Sequence, residues 1–151
     1  MVNILIAEQF QQAVDSAALE KAAQAVLSEQ NLTEEVNLSI VIEDDIQLHT
    51  LNLEFLGVDA PTDVLSFFED ELDPETGQRY LGDVIISYPQ AERQAALAGH
   101  TTASELDLLV VHGVLHLLGY DHSTNEEKDK MWGKQRNVLL QLGTNIKKFP
   151  K

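Results

Sequence analysis

Leu81-Gly-Asp-Val-Ile-Ile-Ser87 is a flat, strongly apolar run of strand length, and such a run belongs inside a sheet rather than at its edge. The sequence on either side supplies elements to surround it. After Pro89 the spacing predicts a helix to about Ala98, and Thr102 to Leu118 is the strongest helical pattern in the chain, closed by Gly119. Upstream, Pro61-Thr-Asp-Val-Leu-Ser-Phe67 reads as a strand, and Asp73-Pro74 to Gly77 as a turn. Further out, Val2-Asn-Ile-Leu-Ile6 and the β-branched Val36-Asn-Leu-Ser-Ile-Val-Ile42 alternate as strands. Asp15 or Ser16 can cap a helix to about Gln30, with Leu19, Ala22, Ala23, Val26 and Leu27 as its apolar stripe. A second helix runs from the Asp44-Asp45 region to Gly57 and contains Ile46, Leu48, Leu51, Leu53 and Phe55. Ser123 or Thr124, followed by Glu126 and Glu127, opens a last helix to about Leu142. The order β-α-β-α-β-β-α-α-α describes one α/β (α+β) domain, a four-stranded sheet covered by about five helices. Strand directions are not legible from this pattern.

The 151 residues are 44% hydrophobic and 23% charged, which is enough for a proper core and argues against disorder. No repeat, low-complexity tract or linker divides the chain, so residues 1–151 are read as one unit. The absence of cysteine excludes a disulfide scaffold, a cysteine zinc finger, an iron–sulfur site and a thiol nucleophile. The longest largely apolar stretches, Leu106–Val111 around Asp107 and Val114–Leu118 around one histidine, fall far short of the ~20 residues of a membrane span. The first residues lack the basic, extended character of a secretory signal. A soluble cytoplasmic protein is expected.

Charge is unevenly placed. The net charge is −15, which opposes nucleic acid as a partner. Yet residues 128–151 carry seven basic residues against Asp129 alone, for +6, while the preceding 127 residues sum to −21. That basic C-terminal helix and tail is either an interaction segment or a solvated helix face. Its cations Lys128, Lys130, Lys134 and Arg136 are candidate RNA contacts.

Three of the five histidines fall within His112-Gly-Val-Leu-His116-Leu-Leu-Gly-Tyr-Asp-His122. Residues four apart on a helix share a face, so two imidazoles can reach one ion. Gly119 can turn the chain back and let His122 approach the same point. Three neutral nitrogens with an open fourth position describe a catalytic metal site rather than a structural one. The same spacing occurs in a large class of zinc proteases, which carry Glu after the first His. Here that residue is Gly113, which offers no base. Asp121 can orient a ligand ring from behind or cap the turn. His49 and His100 have no such partners and are read as structural or solvent-facing. Phe55, Phe67, Phe68 and Trp132 are expected in the core rather than as base-stacking platforms, although Trp132 sits in the basic stretch. Val110 and Val111 are read as packing residues.

The eleven residues from His112 to His122 closely resemble the H-G-x-L-H-L-x-G-Y-D-H signature of the bacterial YbeY family of ribosomal-RNA maturation factors. Pro61–Phe67 and Leu81–Ser87 are similar to two further segments of that family, and the likeness covers about residues 36–142. The resemblance implies a mixed sheet and a zinc-type site held by His112, His116 and His122. Nickel, cobalt or copper also suit such ligands. It further implies metal-dependent cleavage of single-stranded ribosomal-RNA precursors, chiefly at small-subunit ends, and a part in ribosome quality control. Ribosomal or small-subunit proteins become expected partners. Asp63 and Ser66 are plausible cleft residues, with strand capping as their plainer role, and the resemblance names no general base.

Three positions depart from that pattern. Where the family reads N-x-x-Y-R-G-K-D, this chain has Asn52-Leu-Glu-Phe-Leu-Gly-Val-Asp59, so its Arg and Lys become Leu56 and Val58. The usual Pro after S-F is Phe68. Losing the Arg removes a planar donor fork suited to phosphate. A basic residue of the last helix then has to replace it, or cleavage is weakened. A non-catalytic ribosome assembly factor, or a metallohydrolase of another substrate class, therefore stands beside the endoribonuclease expectation.

Overall fold

Side-chain caps set where the helices begin. The structure is a computed structural model that describes residues 1–32, 36–144 and 146; Lys147, Lys148 and Lys151 of the expected basic tail lie outside that range. Asp15 accepts from Ala17 N at the start of α1 (Ser16–Glu29), and Asp44 accepts from Gln47 N at the start of α2 (Asp45–Leu56). Ser87 opens α3 (Tyr88–Ala98) and Thr101 opens α4 (Thr102–Leu117). Thr124 and Glu127 form a reciprocal capping box at the start of α5 (Asn125–Leu142). A single turn at Glu8–Phe10, too short to leave a periodic signal, follows the first strand.

The strands are β1 (Val2–Ile6), β2 (Val36–Glu43), β3 (Val64–Leu72) and β4 (Arg79–Ser87), in the spatial order β1-β2-β4-β3. β1 and β4 run parallel to β2, and β3 is antiparallel to β4, so the sheet is mixed. β4 lies inside it, as its apolar run predicts. β3 begins later and ends later than expected: Pro61–Asp63 precede it, and pairing continues to Leu72 opposite Arg79. Its second half, Phe68-Glu-Asp-Glu-Leu72, carries little apolar signal because an edge strand can face water. The hairpin is kinked between Phe68 and Glu71, opposite Gly82. A Cβ at Gly82 (φ +144°) would come within 1.9 Å of Phe67 O, so only glycine lets the strands approach there.

The core forms on one face of the sheet. Val2, Leu38, Ile40, Ile42, Val84 and Ile86 are buried with the apolar sides of α1 and α4. α4 is buried on nearly every side and is the central helix. α2 departs from its expected packing. Only Leu48 and Asn52, one turn apart, are buried; Ile46, Leu53 and Phe55 project outward. Phe55 and Phe68 are 63% and 60% exposed, which corrects the expectation of core aromatics. Phe67 and Trp132 are half-buried. None of the helices in the described residues is long and apolar enough to cross a membrane.

Candidate metal centre

α4 carries His112 and His116 on one side, and the turn after it brings in His122. The backbone N–H of Tyr120 closes onto Leu115 O at 3.0 Å, and Gly119 takes φ +99°, which folds the chain back as its position predicts. The ring centroids of His112 and His116 are 4.6 Å apart, and His122 lies 5.6 and 5.2 Å from them. One ring nitrogen from each falls within 4.8 Å of the other two, close enough to hold one ion. Burial pushes His112 down to about 4 and His116 below the usual imidazole range. Both rings are therefore neutral at physiological pH, with lone pairs to offer a metal. The donor set fits a divalent transition metal.

Gln135, 1% exposed on α5, is a site residue that sequence reasoning missed. Its Oε1 lies 2.6 Å from His112 Nδ1. A carboxamide oxygen only accepts, so Nδ1 carries the proton and Nε2 keeps the free lone pair. The signal for it was faint: a polar residue at a core position of an otherwise amphipathic helix, 23 residues from its partner.

The histidines line a cleft of about 490 Å³ whose walls include Asp63, Ser66, Phe68 and Trp132. Ser66 donates to Gly113 O (3.0 Å) and ties β3 to α4. Gly113 faces the sheet, not the cleft. A Cβ there would stand 2.4 Å from Val84 Cγ1, so the position reserved for a base in zinc proteases is a packing contact here. Asp63 is fixed from behind by Gln94, whose Nε2 donates to Asp63 Oδ2 (3.2 Å) and to the buried Glu105 (2.9 Å). Glu105 also holds His100 at 2.5 Å, and His49 meets Asp59 at 2.7 Å, so both remaining histidines are structural. Asp121 directs its oxygens to His122 N (2.8 Å) and Ser123 Oγ (2.9 Å), which is turn capping; the backbone bond holds its carboxyl below the usual range.

None of the described residues lining the cleft is Lys or Arg. The helix spreads its cations instead. Lys128 Nζ lies 5.6 Å from the Trp132 ring centre, beside the cleft, whereas Lys130 stands over Tyr120 (5.9 Å) at a separate concavity. Lys134 pairs with Glu29 at 2.8 Å, and that bond raises its pKa. Arg136 is exposed further along α5.

A mixed sheet carrying a three-histidine cleft defines a single-domain α/β protein of metal-site type. The comparisons make the class specific. The family model described as Endoribonuclease YbeY matches residues 5–143. Proteins named Endoribonuclease YbeY from Pelotomaculum thermopropionicum and Roseiflexus castenholzii are 49% identical over 136 residues and 43% identical over 149 residues. These alignments cover 86% and 95% of this chain and 90% and 93% of the relatives. A Thermotoga maritima protein solved in solution superposes with a TM-score of 0.61 at 25% identity, covering 96% of this chain and 93% of that one. The chain belongs to the YbeY endoribonuclease family.

Proposed function

We propose that this chain is a metal-dependent endoribonuclease that cuts single-stranded ribosomal-RNA precursors in the cytoplasm, chiefly at small-subunit ends, and takes part in ribosome quality control. The observation that carries the reading is the convergence of three imidazoles in an open cleft of a family member. His112, His116 and His122 bind the ion, with zinc as the first candidate. A divalent ion held there supplies Lewis acidity toward a phosphate oxygen. Gln135 fixes the His112 tautomer. Asp63 is the one carboxylate among the described residues lining the cleft, and Gln94 holds it where it can accept a proton. The basic helix and tail of residues 128–151 form the docking element for RNA or ribosomal protein, with Lys128 beside the cleft-lining Trp132.

A second reading, an assembly factor without catalysis, is favoured by the lack of Lys or Arg among the described residues that line the cleft. Cleavage of a single-stranded precursor oligonucleotide by zinc-loaded protein, beside an identically prepared His116→Ala variant, separates the two. Cutting lost only in the variant supports the nuclease. Equal cutting reveals a contaminant and removes support for catalysis. No cutting by either selects the assembly factor.

A further inference from the structure

The cleft has an apolar lip that the metal centre does not use. Leu56, at the end of α2, and Phe68, on β3, line the same cleft as the histidines and are 57% and 60% exposed. Along a strand alternate side chains share a face, so Phe68 lies on the side of Ser66, which bonds to α4. Phe67 points the other way and packs edge-on against Phe55, with centroids 5.5 Å apart, which steadies the strand beneath the lip. Large apolar side chains at the mouth of a polar cleft cost solubility, and covering them with an apolar surface repays that cost.

Charge narrows what that surface is. Apart from an ion on the three histidines, phosphate has little to hold here, because none of the described residues lining the cleft is Lys or Arg and the chain carries −15 overall. A nucleobase offers an uncharged π-face that stacks on an aromatic ring whatever the surrounding charge. The cleft's ~490 Å³ lies in the range of sites for molecules of nucleotide size. We propose that Phe68, flanked by Leu56, is the stacking platform for one unpaired base of an RNA strand lying across the three-histidine cleft. Paired bases have both faces covered by their neighbours, so such a platform selects single strands. The proposal rests on RNA being the substrate of this cleft, as argued above.

The test compares two fluorescein-labelled strands of equal length and charge, about a dozen residues long: 2′-deoxyadenylate, and an abasic strand with the same phosphates. Anisotropy titrations use zinc-loaded wild type, Phe68→Ala, Phe68→Trp and, as a distant control, Leu97→Ala, at a residue 90% exposed on α3. Stacking predicts that wild type binds the base-bearing strand tighter than the abasic one. Phe68→Ala should lose about tenfold on the base-bearing strand and nothing on the abasic strand, while Phe68→Trp and Leu97→Ala keep the preference. A wild type blind to the missing bases overturns the proposal, and so does a Phe68→Ala loss that is equal on both strands. A wild-type dimer that Phe68→Ala dissociates, with strand preference unchanged, assigns the lip to a second copy of the chain and also overturns it. Base preference without RNA cleavage leaves the platform standing and removes only the endoribonuclease reading.

Discussion

Replacing Gln135 with Leu tests how the site prepares its first ligand. Gln135 is 1% exposed and its Oε1 stands 2.6 Å from His112 Nδ1. Leucine fills a similar volume and removes the acceptor. If the ring keeps its tautomer, a buried N–H loses its partner, at about 1–3 kcal/mol. If the proton moves to Nε2, the lone pair offered to the ion is lost with it. Both routes act against binding, and removal of such supporting partners elsewhere costs about 10- to 100-fold in metal affinity. Competition for zinc against a chromophoric chelator at neutral pH reads this directly, with circular dichroism to verify the fold. Gln135→Glu, which keeps an acceptor, should hold zinc at least as well as wild type. A folded Gln135→Leu protein binding zinc within about threefold of wild type would refute the assignment.

Gly113→Ala should destabilise the protein by about 1–3 kcal/mol, because its Cβ would meet Val84 Cγ1 at 2.4 Å and Ser66 Oγ at 3.3 Å; an unchanged urea midpoint would show that α4 is free to move off the sheet. Metal-free protein should lose stability as pH falls from about 6.5 toward about 4. Above that window His112 is neutral in both states; within it, the unfolded chain takes up a proton that the buried ring, lowered to about 4, refuses. His116, also lowered by burial, adds in the same direction, and a His112→Phe variant whose stability falls just as steeply would contradict this account. Leu56→Arg places a cation on a cleft that has no Lys or Arg among its described lining residues, and should raise cleavage while steepening the salt dependence of RNA binding by about 0.7 in log–log slope; an unchanged rate would mean that the missing charge does not limit this enzyme.

Much of this protein was legible along the chain because the signals are local. Cap signals at Asp15 or Ser16, around Asp44-Asp45 and at Ser123 or Thr124, the apolar run of β4 and the spacing of His112, His116 and His122 each lie within a few residues, where periodicity and side-chain chemistry act directly. They determined the elements and their order, and they marked the three histidines as a candidate metal centre. What depends on distant partners could not be read. The sheet order β1-β2-β4-β3 and the length of β3 come from pairing, which spans tens of residues. Gln135 meets His112 across 23 residues, and Gln94 joins Asp63 to Glu105 only once α3 lies against α4. Phe55 and Phe68 look like core in a list of apolar residues, because hydrophobicity favours burial without saying which face finds a neighbour. Likewise Gly113 reads as a missing base in one dimension and as a helix–sheet contact in three, since only the packed core shows that Val84 occupies the space a side chain would need.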